Sequence, residues 1–291
     1  MLTGIDVSHF SSFNQQQLKA MVNDHRLYFN FLKATEGATL QDNKFVQYWQ
    51  MSGLAGMLCG AYHFFRPLSD AAAQVNNFTT MYRKVNSIGA LPPVVDIEWA
   101  KAGGVEQWGQ LAAASRVPAI MRFLQGVEAQ FSVRPMIYTA PNFWQQFIAP
   151  NCTAQDNQTF ATYPLWVVDL RNTGALPTPW MNVGATFVQT HFGETATTND
   201  LFDRSDQDKF PGSTKDLLNK TFAGYTIAKG APFSFIIMDI QTKLKALGML
   251  QDAADGIFGN NTEAAVRSFQ QANGLQPSGI ADAATWNKLL T

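Results

Sequence analysis

Short apolar runs alternate with amphipathic segments along the first 200 or so residues of the chain. Eight runs have the length and the β-branched or aromatic content of buried strands, and helical periodicity occurs between the early ones. The predicted strands are 3–8, 28–33, 59–65, 92–99, 136–139, 165–170, 185–190 and 201–203. This alternation favours an α/β fold, a parallel (β/α)8-type barrel, and the smaller number of helices in the second half indicates an irregular one.

The end of the chain has a different pattern. Between residues 236 and 291, apolar residues recur at helical spacing in three short segments, so three helices around one small core are expected. A stretch rich in Lys, Gly and Thr at 213–235 separates this region from the rest and is interpreted as a linker. The predicted organisation is a barrel over residues 1–212, a linker, and a small C-terminal three-helix domain.

Two carboxylates, Asp96 and Glu98, lie two residues apart inside the apolar run 92–99. Side chains alternate faces along a strand, so both point the same way, about 7 Å apart. A strand buried on both faces carries charge only where the charge is paired or functional, and two carboxylates in one environment raise one pKa, as a general acid requires. From these two residues alone, a structural hydrogen-bonded Asp beside a salt-bridged Glu is an equally good interpretation.

Polar and aromatic residues recur where the predicted strands end. In a (β/α) barrel the active site lies at the C-terminal ends of the strands. The candidates at these positions are Asp6, Glu36, Tyr62, Phe64, Asp96, Glu98, Tyr138, Asp169, Gln189 and Asp203. Several acids interleaved with aromatic side chains predict an electronegative cleft with aromatic walls, which suits a neutral sugar chain.

Composition narrows the classes of partner. The chain has 291 residues, a formal net charge of -1 and 15% charged residues, so neither nucleic acid nor an anionic membrane is an expected partner. The longest apolar stretch is too short to span a bilayer. The four histidines and two cysteines share no metal-site spacing, so no metal and no cofactor are expected. We expect a monomer.

Seven short motifs, taken in order, resemble glycoside hydrolase family 25, the Chalaropsis-type N-acetylmuramidases or lysozymes. They are GIDVS at 4–8, FLKATEG at 31–37, GAYHF at 60–64, VDIE at 95–98, IYT at 137–139, LWVVD at 165–169 and VQ at 188–189. The resemblance covers about residues 2–212. It implies an irregular β/α barrel that cleaves the β-1,4 bond between N-acetylmuramic acid and N-acetylglucosamine in bacterial peptidoglycan.

Four catalytic acids follow from this resemblance by position. Glu98 matches the general acid of the family, Asp96 its partner on the same strand, and Asp6 the acid of the first strand. Asp203 is assigned to the acid of the last strand. The competing candidates for that last role are Asp200 and Asp206.

Residues 236–291 resemble the type 1 peptidoglycan-binding domain, which implies targeting to the cell wall, as in phage endolysins. No signal peptide is visible at the N-terminus, so we expect synthesis in the cytoplasm and release by lysis, or secretion by a route not visible in the sequence. Two alternatives stay open. One is a non-catalytic saccharide-binding barrel, against which the complete set of acids argues; the other is a chitinase-like glycosidase, since those barrels also carry an Asp-x-Glu strand.

Overall fold

Strands and helices alternate through most of the computed structural model, which describes residues 1–193, 200–222 and 224–291. The strands are β1 (Leu2–Val7), β2 (Leu27–Glu36), β3 (Leu40–Gln41), β4 (Leu58–Phe64), β5 (Val94–Asp96), β6 (Lys101–Ala102), β7 (Val105–Glu106), β8 (Met136–Thr139), β9 (Leu165–Val168), β10 (Phe187–His191) and β11 (Asp206–Phe210). The helices are α1 (Gln15–His25), α2 (Phe45–Leu54), α3 (Ala71–Tyr82), α4 (Ala113–Phe131), α5 (Pro141–Phe147), α6 (Ala154–Ala161), α7 (Thr214–Leu218), α8 (Phe235–Ala246), α9 (Asn260–Ala272) and α10 (Ala283–Leu289). In the described ranges, no helix has the length and apolar character needed to cross a bilayer.

Eight strands close into a barrel in the order β1, β2, β4, β5, β8, β9, β10, β11. The first seven run parallel to one another, whereas β11 runs antiparallel to both β10 and β1. Inside the barrel, Phe29 and Phe31 on β2 reach Phe187 on β10, with ring centroids 5.0 and 5.1 Å apart. The predicted α/β barrel is therefore confirmed, and its reversed last strand makes it irregular.

The last barrel strand does not lie where the apolar pattern placed it. Residues 201–203, predicted as the eighth strand, form a turn, and β11 begins at Asp206. The cause is the polar sequence of β11, in which Asp206 and Asp208 share a face with Phe210. That face lines the interior, so the apolar signal expected of a buried strand is missing there, and the prediction was wrong.

The C-terminal helices α8, α9 and α10 pack against one another, as predicted, and their buried apolar residues belong to the same hydrophobic cluster as those of the barrel. Two buried glutamines organise the domain in the same way. Each side-chain amide donates to a threonine hydroxyl in the next helix and to a loop carbonyl, and accepts the N–H of a loop glycine. The two sets are Gln241 with Thr262, Ile257 and Gly256, and Gln270 with Thr285, Ile280 and Gly279. The domain is therefore built from two equivalent helix–loop units.

The segment 213–235, predicted as a linker, is packed against the barrel. It contains α7, whose Leu217 and Leu218 are buried. Phe222 exchanges backbone hydrogen bonds with the chain just before β5: the N–H of Gly89 donates to Phe222 at 3.0 Å, and the N–H of Phe222 donates to Ala90 at 3.0 Å. These contacts cover the end of the barrel at which the parallel strands begin, which we call the base.

Two glycines at the base allow this close packing. Gly56 and Gly89 have positive φ angles of 81° and 76°. A Cβ at Gly56 would lie 1.7 Å from the carbonyl oxygen of Phe233, and one at Gly89 would lie 2.0 Å from the ring of Tyr225. Both conformation and space therefore require glycine at these positions.

The C-terminal domain is also joined to the base by side chains. The carboxylate of Asp239 on α8 accepts hydrogen bonds from Arg26 Nη2 at 2.7 Å, from the Tyr28 hydroxyl at 3.0 Å and from the Thr214 hydroxyl. Arg26 immediately precedes β2, and Tyr28 is the second residue of that strand. The domain is thus docked on the barrel end opposite the C-terminal ends of the parallel strands.

Candidate active site

Six of the predicted site residues meet in one cleft at the opposite end of the barrel, which we call the mouth. The cleft has a volume of about 290 Å³ and is lined by Asp6, Tyr62, Asp96, Glu98, Tyr138, Trp166, Gln189, Phe192 and Asp206. The predicted residues in this lining are Asp6, Tyr62, Asp96, Glu98, Tyr138 and Gln189, whereas Trp166, Phe192 and Asp206 were not assigned to the cleft from the sequence.

Glu98 is held by the loop that follows β5. Its backbone carbonyl accepts a hydrogen bond at 2.8 Å from Nε1 of Trp108, which is fully buried. The carboxylate of Glu106 accepts the N–H groups of Ala100 and Trp108, each at 3.1 Å. This fixed loop keeps the half-buried Glu98 at the edge of the cleft.

Asp96 occupies an environment that disfavours its charge. It is 6% exposed, and its Oδ1 receives no hydrogen bond from the described residues. Burial, and then the nearby Glu98, raises the pKa of Asp96 well above its ordinary value, although Lys33 opposes the rise. Asp96 and Glu98 therefore resist being ionised together, which is the condition under which one carboxyl of a pair retains a proton for general acid catalysis.

A hydrogen-bonded chain positions Asp6 across the cleft. The Tyr138 hydroxyl donates to Gln189 Oε1 at 2.6 Å, and Gln189 Nε2 donates to Asp6 Oδ2 at 2.6 Å. Burial, followed by the neighbouring carboxylates Asp206 and Asp208, raises the pKa of Asp6 well above its ordinary value. The chain fixes the orientation of Asp6, and it gives Tyr138 and Gln189 a positioning role.

Asp206, and not Asp203, is the last-strand acid at the cleft. Asp206 is the Cα partner of Asp6 in the antiparallel pairing of β11 with β1. Asp203 lies in the turn before β11, where its backbone carbonyl is 2.8 Å from Nε2 of His191. Its assignment to the last strand is corrected because the strand starts three residues later. The spacing of Asp206 with Asp208 and Phe210 was the signal that could have found it.

Glu36 and Phe64 lie outside the residues that line the cleft. The Glu36 carboxylate accepts hydrogen bonds from Lys33 Nζ at 2.6 Å and Arg66 Nε at 2.8 Å. Both cations lie over the ring of Phe64, at 5.0 and 4.9 Å from its centroid. This cluster of charged and aromatic side chains stabilises the mouth of the barrel beside the cleft.

Asp169 also lies outside the cleft lining and closes the loop that follows β9. Its carboxylate accepts the N–H groups of Thr173 at 2.9 Å and Gly174 at 2.7 Å. Burial opposes ionisation, but these hydrogen bonds outweigh it and hold the pKa of Asp169 below its ordinary value. The structure therefore gives Asp169 a role in shaping a neighbouring loop.

The barrel and its mouth together indicate a class of protein. Carboxyl groups from several strands face one another across an aromatic-walled cleft, which is the arrangement of a glycoside hydrolase. The family model described as glycosyl hydrolases family 25 matches residues 5–191, and the chain belongs to this family. A second model, described as "Putative peptidoglycan binding domain", matches residues 236–289.

The proteins similar to this chain include an uncharacterized protein and lysozymes. The chain is 34% identical over 166 residues to the uncharacterized protein YegX of Escherichia coli K12, covering 56% of this chain and 54% of YegX. It is 32% identical over 169 residues to lysozyme M1 of Streptomyces globisporus, covering 56% and 53%. The bacterial lysozyme structure from Streptomyces coelicolor is similar with a TM-score of 0.62 and 28% identity, over 75% of this chain and 96% of that one. The chain spans about half the length of the curated relatives it matches.

Proposed function

We propose that this protein is an N-acetylmuramidase, a lysozyme that hydrolyses the β-1,4 bond between N-acetylmuramic acid and N-acetylglucosamine in peptidoglycan. The observation that carries the proposal is the convergence of Asp6, Asp96, Glu98 and Asp206 on one cleft in a family 25 barrel. The names of lysozyme M1 and of the Streptomyces coelicolor lysozyme support it.

In the proposed reaction, Glu98 gives its proton to the glycosidic oxygen as the bond from that oxygen to the anomeric carbon breaks. A carboxylate nucleophile would have to attack from the opposite face of the sugar. Asp96 is the last residue of β5 and Glu98 follows it by two residues. We place both carboxyl groups on the same side of the substrate, where Asp96 is poorly placed for this attack.

The nucleophile is instead the 2-acetamido oxygen of the muramic residue, which closes on the anomeric carbon while Asp96 orients and polarises the amide. Asp6 and Asp206 lie on the wall formed by β1 and β11. Their negative charge stabilises the positive charge that develops on the sugar. Water then attacks the anomeric carbon and opens the ring that the acetamido oxygen formed with it, while Glu98 takes a proton from that water. The configuration at the anomeric carbon is thereby retained. No covalent bond forms between sugar and protein.

Mass spectrometry of fragments released from purified peptidoglycan tests this proposal. A muramidase leaves new reducing ends on N-acetylmuramic acid. New reducing ends on N-acetylglucosamine would overturn it in favour of a chitinase-like specificity, and the absence of fragments would favour a saccharide-binding barrel. NMR of the first-formed anomer tests the mechanism separately: an initial α product means inversion, and an acid across the cleft would then activate water.

Peptidoglycan is also the proposed partner of the C-terminal domain, which is supported by the family match at residues 236–289. We propose that the protein acts at the cell wall, which it reaches after lysis of the producing cell or by a secretion route. A pull-down with insoluble peptidoglycan, comparing the full chain with a chain that lacks 236–291, tests the targeting role. Equal binding by both proteins would remove it.

A further inference from the structure

A second pocket, of about 300 Å³, lies beside the cleft, between the start of α5 and the loop 169–175 that follows β9. We call it the side pocket. Tyr138 and Trp166 line the cleft, whereas Ala140 and Val168, each two residues further along the chain, line the side pocket. Val168 ends β9, and Ala140 continues β8 with extended φ and ψ angles of −96° and 139°. Side chains two residues apart on an extended segment share a face, so the side pocket continues the cleft outward.

Most of the wall of the side pocket is formed by small or apolar side chains, which are Ala140, Pro141, Val168, Leu170 and Ala175. Leu170 is 46% exposed, so a ligand in the pocket would remove apolar surface from water. This wall differs from that of the cleft, which carries four carboxyl groups. The side pocket therefore favours a less polar group than the sugar that the cleft receives.

The loop that presents Leu170 and Arg171 to the side pocket is held by Asp169. Its carboxylate accepts the N–H groups of Thr173 and Gly174, and the Thr173 hydroxyl donates to it at 3.0 Å. The charge of Asp169, which also lines the pocket, is thus compensated by donors of its own loop. A loop fixed in this way loses little conformational freedom when a ligand binds.

Arg171 is the single cation among the described residues that line the cleft and the side pocket. It is exposed, and its guanidinium forms no ion pair or hydrogen bond with the part of the chain that the structure describes. By contrast, Lys33 and Arg66, also at the mouth, are both bound by Glu36. Arg171 is therefore available to a carboxylate of a ligand.

The neutral sugars of a glycan chain give this cation no partner. N-acetylmuramic acid differs from N-acetylglucosamine by a lactyl group, and in peptidoglycan that group carries a peptide with free carboxylates. A three-carbon lactyl group alone would leave most of a pocket of about 300 Å³ empty, whereas the first residues of the peptide would fill it.

We propose that the side pocket binds the peptide carried by the lactyl group of the muramic residue. Its apolar wall contacts the small side chains of the peptide, and Arg171 pairs with one of the peptide carboxylates. The inference rests on the proposed function and deepens it, because Arg171 becomes a specificity residue that distinguishes peptide-bearing peptidoglycan from bare glycan.

Steady-state kinetics on two soluble substrates test the proposal: glycan chains that carry their peptides, and chains of the same length from which an amidase has removed them. Arg171→Gln should raise KM about tenfold on the peptide-bearing chains, leave KM on the peptide-free chains unchanged, and leave kcat unchanged on both. Arg171→Lys keeps the charge without the planar fork and should recover part of the loss. Arg122→Gln, an exposed position on α4, is the matched control.

Ala175→Trp tests the cavity independently of the charge, because a large side chain at this exposed lining position fills it. It should also raise KM on the peptide-bearing chains alone. An unchanged KM on those chains for either variant, or an equal rise on both substrates, would overturn the inference. Arg171 is exposed, so Arg171→Gln decides even where Ala175→Trp fails to fold. A wild type that cuts both substrates while the variants show no selective effect rejects only this inference, whereas a wild type that cuts neither rejects the muramidase proposal.

Discussion

The two ends of the barrel place aspartates in opposite environments. At the mouth, Asp96 is buried, and the described residues offer no hydrogen bond to its Oδ1. At the base, the carboxylate of Asp239 is bound by Arg26, Tyr28 and Thr214. A buried carboxylate without full pairing costs stability, whereas a paired one is tolerated or favourable. The mouth keeps this costly arrangement because two crowded carboxyl groups, Asp96 and Glu98, hold between them the proton that acid catalysis uses, and the base has no such demand.

The largest expected effect is at the mouth. Glu98→Gln keeps the shape of the side chain and removes the proton, so kcat should fall by about 1,000-fold or more while saccharide binding survives. Release of reducing sugar from purified peptidoglycan measures kcat, and calorimetry with a soluble glycan fragment measures binding. Glu128→Gln on the outer helix α4 is the matched control. Near wild-type lysis by Glu98→Gln would end the assignment of Glu98 as the acid.

Removal of the base contacts should affect stability and wall binding but not the chemistry. A chain that ends at Gly212 loses the buried Leu217 and Leu218, so we expect a Tm lower by roughly 10 °C. A chain that ends at Gly224 keeps α7 and the pairing of Phe222 with Gly89 and should recover part of this loss. Both chains should cut soluble fragments. Calorimetry and a soluble-substrate assay separate the two effects; equal Tm values for the three lengths would show that the base contacts are not stabilising.

Single aspartate substitutions should move stability in opposite directions at the two ends. Asp96→Asn removes an unfavourable buried charge and should raise the free energy of unfolding by about 1 kcal/mol while it lowers activity. Asp239→Ala leaves Arg26, Tyr28 and Thr214 without their acceptor, so it should lower the free energy of unfolding by about 1–2 kcal/mol. Its activity on soluble glycan should not change. Urea unfolding measures both, and a shift of the same sign would contradict the comparison.

The smallest expected effect is in the pH dependence of the free energy of unfolding, which should also distinguish the aspartates at the mouth from Asp239 at the base. The folded protein raises the pKa of Asp6, Asp96 and Asp208 above the ordinary value of 3.8, so it holds more protons than the unfolded chain above that pH. Their contribution to stability is fully present below pH 3.8 and is lost as pH rises through the raised values. The stability gain from Asp96→Asn should therefore grow with pH. Urea midpoints at acidic, neutral and alkaline pH measure it, and a gain that shrank with pH would contradict it.

Much of the barrel could be predicted because most of its strands are apolar. The fifth predicted strand, 136–139, coincides with β8. The eighth was misplaced because β11 has the sequence DQDKF, and its inward positions are acids where the cleft needs them. The apolar pattern that marks a strand is therefore weakest where the barrel interior becomes the active site.

The site was predictable only in part, for a related reason. Asp96 and Glu98 are conspicuous because they interrupt an apolar run. Trp166 and Phe192 look like core residues in sequence, and their position at the cleft depends on strand register. The segment 213–235 was interpreted as a linker from its Gly and Lys content, which does not reveal that Leu217 and Leu218 pack on the base.

The docking of the C-terminal domain on the base separates the proposed peptidoglycan-binding domain from the cleft at the mouth. β2 has ten residues and spans most of the barrel, about 30 Å, between Tyr28 and the mouth. A domain held by Asp239 and by the packing at Gly56 cannot swing to the other end. If it grips peptidoglycan, the glycan it grips is not the stretch that Glu98 cuts. We therefore expect the protein to bind one glycan chain of the cell wall through its C-terminal domain and to cleave a neighbouring glycan chain at the mouth.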